Sequence, residues 1–127
     1  MKKLLLLQCL LWGFVIAMCA QTPAKYWVQF KDKSNSPYSI NKPEEFLSPR
    51  AIQLRQLHHI AIVENDLPVN PQYIQQVMAL DTDMILFTKT KWLNGITIYS
   101  QQDSIVSAIR KLPCVEFVER MNKLKEA

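Results

Sequence analysis

Four stretches of alternating apolar residues, interleaved with helix-patterned segments, limit what this chain can become more than any other feature. In the first, Tyr26, Val28 and Phe30 alternate with Trp27, Gln29 and Lys31, which predicts a strand with one buried face. Asp83 to Thr90 sets Met84 and Leu86 against Ile85 and Phe87 and predicts a second. Trp92-Leu93-Asn94-Gly95 turns the chain, Asn-Gly being a strong turn signal, and Ile96 to Tyr99 returns as the third. Val115, Phe117 and Val118 make the last.

The helical segments carry their own start signals. Ser48-Pro49 and Asn70-Pro71 each put a capping side chain before a proline already set for the first turn. The first helix spreads Ala51, Ile52, Leu54 and Leu57 over a broad apolar side, with Arg50, Gln53, Arg55 and Gln56 on the rest. The second runs to Leu80 and places Ile74, Val77 and Met78 three and four apart on one face. Asp103 is expected to cap a third helix through Leu112, facing Ile105, Ala108, Ile109 and Leu112 inward, with Pro113 as its stop. Asp32 to Pro43 reads as a polar loop, and Ile60 to Val63 is too short to assign. Counting the two early helices as one connection gives β-α-β-β-α-β, the ferredoxin-like order. The expected fold is α+β, an antiparallel sheet with helices on one face and the other face open.

The first twenty residues stand apart from that fold. Lys2 and Lys3 precede an apolar run from Leu4 to Ile16, and Ala17-Met18-Cys19-Ala20 closes it with mostly small residues. This is the layout of a secretory signal peptide. The run is shorter than the roughly 20 apolar residues of a spanning helix, and Gln8 interrupts it. Cleavage is expected after Cys19 or Ala20, and the product is expected to be secreted or periplasmic. A lipid on Cys19 is the one route to a membrane beyond the segment itself. Removing Lys2 and Lys3 lowers the net charge from +4 to +2, too little to suggest a nucleic-acid partner. The expected division is 1–20 signal peptide, 21–120 folded domain and 121–127 charged tail or linker.

Few residues suggest chemistry. Two glycines in the whole chain leave no phosphate-cradling loop. His58 and His59 are adjacent, so on a helix they point about 100° apart and do not converge on a metal. Cys9 and Cys19 fall in the export segment, and Cys114 sits in an apolar run that suits a buried structural thiol. The pairs Glu44-Glu45, Glu64-Asp66 and Asp81-Asp83 lie at turns and helix starts, where capping and solvation account for them. No Gly-x-Ser-x-Gly elbow occurs, and Trp27, Trp92 and Tyr99 lack the basic-aromatic pattern of an RNA-reading sheet. No catalytic residue, metal site or cofactor is expected.

Three segments together carry a resemblance: Lys25-Tyr26-Trp27-Val28-Gln29-Phe30-Lys31-Asp32-Lys33; Phe46-Leu47-Ser48-Pro49-Arg50-Ala51 followed by Asp66-Leu67-Pro68-Val69 and Tyr73-Ile74; and Lys91-Trp92-Leu93-Asn94-Gly95. In order and spacing, from about residue 25 to 120, this set resembles the N-terminal inhibitor I9-like propeptide of secreted Bacteroidetes-type subtilisin-like (S8) serine proteases. The resemblance implies a ferredoxin-like domain that acts as folding chaperone and inhibitor of a subtilisin-like protease. Its sheet would pack on two helices of the enzyme and its C-terminal tail would enter the substrate cleft. Carried over by position, that tail is Glu119, Arg120, Met121, Asn122 and Lys123. Leu54 stands where relatives often carry a second basic residue. The segments that would hold a catalytic triad, of the Asp-Thr-Gly, His-Gly-Thr and Gly-Thr-Ser-Met kinds, do not occur. The expectation is therefore a propeptide-like module with no activity of its own. Its alternatives are the front fragment of an S8 peptidase encoded elsewhere or lost, and an unrelated exported domain that binds a ligand or peptide.

Overall fold

A computed structural model of the chain describes residues 22–121. The predicted export segment and residues 122–127 lie outside the described residues. Strand β1 (Ala24–Phe30) is followed by a 3₁₀ turn (Pro43–Glu45), helix α1 (Pro49–Leu57), a second 3₁₀ turn (Glu64–Asp66) and helix α2 (Pro71–Met78). Then come β2 (Ile85–Thr90), β3 (Gly95–Ser100), helix α3 (Ile105–Arg110) and β4 (Val115–Met121). The protein is α+β. Its four strands form one antiparallel sheet in the order β2-β3-β1-β4.

The period-two pattern places the core. Tyr26, Val28 and Phe30 are essentially fully buried and pair across the sheet with Ile98, Ile96 and Val115 or neighbouring β4 residues. They share one cluster with Val77 of α2 and Ile105 and Ile109 of α3. Burying each of these apolar side chains contributes about 2 kcal/mol. The two start signals perform as read: Ser48 Oγ accepts from Ala51 N at 3.2 Å, and Asn70 Oδ1 accepts from Gln72 N at 2.9 Å.

Three local expectations are corrected. The broad apolar side of α1 is not a buried face; none of its residues is buried, and Leu57 is 68% exposed. Its apolar residues spread around the helix, and no stripe forms that could lie against the sheet. A buried ion pair holds the helix instead. Arg55 Nη1 and Nη2 donate to the two carboxylate oxygens of Asp66 at 2.9 and 2.5 Å, and Asp66 also accepts from Val63 N at 3.0 Å. Asp103 does not cap α3, whose N-cap is Ser104 and has no side-chain cap. Its carboxylate accepts from the phenol of Tyr26, because a buried Tyr hydroxyl requires a partner. Met121, read as the start of the tail, closes β4 opposite Lys25.

Polar groups tie the long β1–α1 connection to the body. Lys33 is buried, and its ammonium donates to the carbonyls of Asn65 and Leu67 at 2.9 and 2.6 Å. Burial, with Lys91 nearby, lowers its pKa. Asn70 Nδ2 donates to Ser34 O at 2.7 Å. Backbone groups in so long a connection have no ladder to join, so side chains satisfy them.

Candidate docking face

The residues of β1 that point away from the core are Lys25, Trp27 and Gln29. Their cross-strand partners are Tyr99, Thr97 and Gly95 on one side and Met121, Glu119 and Phe117 on the other. Beyond β3, Ile85 lies opposite Tyr99 on the same face. The ladder is irregular between Leu86 and Thr88, and there the ring of Phe87 stands edge-on to Tyr99, with centroids 5.2 Å apart. The ammonium of Lys25 lies 4.2 Å from the Phe87 ring and 5.3 Å from Tyr99. Among the described residues nothing covers this surface. Ile85 is 63% exposed and Phe87 56%, and Phe117 and Met121 also reach solvent.

The face changes character along the strands. At the Lys25 end it is aromatic and positive. At the other end Gln29 Nε2 donates to Glu116 Oε2 at 3.1 Å, and Gln29 Oε1 accepts from Trp27 Nε1 at 3.4 Å. A groove of about 430 Å³ opens there between Trp92, Leu93, Glu116 and Lys33. The indole of Trp27 lies over Gly95. A Cβ on Gly95 would stand 2.4 Å from Trp27 Cζ2 and 2.6 Å from the Val28 carbonyl oxygen. Gly95 does not have a positive φ. The left-handed residue of the corner is Asn94, at φ 49°, so Gly95 is there for space and Asn94 for conformation.

The tail residues proposed from the resemblance divide. Glu119, Arg120 and Met121 end β4, opposite Trp27, Tyr26 and Lys25. Arg120 Nη1 lies 3.7 Å from Asp103 Oδ1. Asn122 and Lys123 are outside the described residues. His58 and His59 end α1: His59 takes φ 54°, its N–H bonds Gln56 O, and the next N–H, of Ile60, bonds Arg55 O at 2.8 Å. This is a Schellman cap formed without glycine. Asp81 Oδ1 accepts from Asp83 N at 2.9 Å, a local turn contact. Cys114 is buried, burial pushes its thiol pKa up, and the sulfur lies 3.4 Å from Gln76 Oε1. Sequence reasoning missed the Arg55–Asp66 pair, the buried Lys33 and the exposure of Ile85 and Phe87. The first two have no local signature; for the third, alternation shows which residues share a face but not whether another layer covers it.

One contact beside the face carries a pH signature. The Tyr73 hydroxyl donates to Asp32 Oδ1 at 2.7 Å. Asp32 pushes the phenol up to about 12, and the phenol in turn holds the Asp32 carboxyl below its usual range. A raised folded-state value means that this stability is fully present below pH 10.0, the ordinary phenol value, and is lost as pH rises through about 12. Spectroscopic titration should show Tyr73 as a late-ionising phenol that Tyr73→Phe removes. Loss of an ordinary phenol titrating near pH 10.0 on that substitution would refute the assignment.

The family model of the peptidase S8 propeptide domain of Bacteroidota matches residues 25–127. A search of curated proteins and a search of solved structures found no match.

Proposed function

Because this chain belongs to the peptidase S8 propeptide domain family of Bacteroidota, we propose that it chaperones and inhibits a subtilisin-like protease by docking its open sheet face on the enzyme. Family membership itself implies association with such a catalytic domain, and it sets aside an unrelated ligand-binding domain. The observation that supports docking is the exposure of Ile85, Phe87, Phe117 and Met121 on one sheet face, around the half-buried Trp27 and Tyr99. A small domain leaving that many large apolar groups in water on one side of its sheet is built to meet another surface. We read the β2-β3-β1-β4 order as the ferredoxin-like arrangement, with α2 and α3 on the core side.

No bond-making step is asked of this chain. Docking on a partly formed protease would lower a folding barrier that is high because the enzyme's contacts are non-local. Docking on the finished enzyme would stabilise it by mass action. Asn122 and Lys123 follow β4 in the sequence, and the chain after Glu119, Arg120 and Met121 would enter the substrate cleft by strand addition. We place this event outside the cytoplasm, after removal of residues 1–20.

The test is inhibition. The protein lacking its first twenty residues should inhibit a subtilisin-like protease of Bacteroidota at micromolar concentration or below. Phe87→Asp should weaken inhibition about tenfold or more, roughly 1.4 kcal/mol or more, with the far-ultraviolet spectrum unchanged. Phe87 is more than half exposed, so the substitution reports on docking rather than on the core. A folded protein with no inhibition would overturn the proposal.

A further inference from the structure

Asn94-Gly95 is the one place in the sequence where an asparagine precedes a glycine. That pair has a well-defined spontaneous chemistry, because the unhindered glycine nitrogen reaches the asparagine side chain. We propose that Asn94-Gly95 is a masked deamidation site, held unreactive by the fold and converted irreversibly once the fold is lost. The inference stands apart from the inhibitor reading and needs no partner.

The reaction balances with water as the only co-reactant. The Gly95 backbone nitrogen attacks Asn94 Cγ, and an N–Cγ bond closes a five-membered succinimide. The Cγ–Nδ2 bond breaks and ammonia leaves with the proton lost from Gly95. Water then opens the ring at either carbonyl, giving aspartate or isoaspartate. Nothing is oxidised or reduced.

The fold opposes each requirement of ring closure. Asn94 Nδ2, the leaving group, donates to Phe30 O at 3.1 Å and to Asp32 O at 2.8 Å. The backbone is held on both sides: Asn94 O accepts from Phe30 N at 2.9 Å, and Asn94 N donates to Lys91 O at 3.2 Å. Gly95 sits in the ladder between Gln29 of β1 and Thr90 of β2, so its nitrogen is not free to swing onto Cγ. Asn94 Oδ1 is buried and finds no partner among the described residues, so no donor polarises the carbon to be attacked.

The structure also explains why a labile pair occupies this corner. Asparagine tolerates the left-handed conformation and supplies two amide donors to β1 and the loop after it. Glycine is required beneath Trp27. The product meets neither demand. Aspartate has no amide donors and sets a carboxylate against two carbonyl oxygens, while isoaspartate lengthens the backbone at the start of β3. A chain that stays unfolded long enough is therefore spent, because chemical change of the unfolded state makes unfolding irreversible.

The experiment uses the full chain at one neutral pH, with and without urea, and peptide mapping by mass spectrometry over time. Conversion at Asn94 should be faster in urea by about tenfold or more, the ratio being set by the open fraction of the folded chain. In urea it should outpace Asn35 and Asn41, which precede Ser36 and Lys42. After dilution from urea, protease-resistant refolded molecules should be depleted in modified Asn94. Equal rates with and without urea would overturn the masking. Asn35 keeping pace with Asn94 would overturn the site, and modified chains refolding as well as unmodified ones would overturn its consequence.

Discussion

Gly95→Ala is expected to destabilise the domain by about 3 kcal/mol, at the upper end for overpacking a well-filled site. The added methyl would meet two atoms of the Trp27 indole, at 2.4 and 2.6 Å, and the Val28 carbonyl oxygen at 2.6 Å. The indole can rotate away, at the expense of the docking face. The carbonyl cannot, because it belongs to the backbone of β1 in the middle of the sheet. For a domain this small, with one core and a face open to water, such a loss is a large share of a total of roughly 5–15 kcal/mol. Urea denaturation of the single and double variants separates the two clashes. Trp27→Ala should recover part of the loss in a Gly95→Ala background and leave a remainder due to the carbonyl. A shift under about 0.5 kcal/mol, the range of an ordinary surface substitution, would show that the corner relaxes freely.

Arg55→Met should have a comparable energy and a different distribution. Asp66 is 1% exposed. Without the guanidinium its carboxylate keeps one described donor, Val63 N. Breaking a buried ion pair from one side costs about 3–5 kcal/mol, since a buried charge is left without its partner. The loss is expected to stay local. Helix α1 buries none of its residues, so little besides this pair and the Arg55 bond to Ala61 O at 3.2 Å anchors it. Hydrogen exchange should accelerate at α1 amides while β1 and β3 amides stay protected. Lys33, bonded to Asn65 O and Leu67 O, should keep the far end of the excursion in place. Replacing both partners, as Arg55→Met with Asp66→Leu, should restore much of the stability. Unchanged exchange in α1 after Arg55→Met would mean that something else holds the helix.

How much could be read in advance follows the range of each interaction. Ser48 and Asn70 were legible because a cap bonds an amide two or three residues away, within reach of a sequence pattern. Tyr26, Val28 and Phe30 were legible because strand side chains alternate strictly. Asp103 was misread for the same reason that Ser48 was read correctly: proximity to a helix start suggested a cap, but a phenol 77 residues away in sequence took the carboxylate. The Asn94-Gly95 corner was located, and its division of labour was not. The pair suggests a glycine with positive φ, whereas Asn94 carries that conformation and Gly95 makes room for an indole from β1.

The residues alone determined the strands and helices to within a few positions, their order, the two proline-led helix starts and the ordered set that resembles S8 propeptides. All of these depend on neighbours along the chain. Only the tertiary structure decided which apolar faces are covered and which, like that of α1 and the outer side of β2, are left in water. Periodicity shows that Ile85 or Trp27 shares a face with its neighbours, not whether another layer covers that face. It also decided that Arg55 would find Asp66 and that Lys33 would be buried against two carbonyls. Such pairings satisfy whatever polar groups the folded backbone brings together, and no local pattern records where those groups will lie.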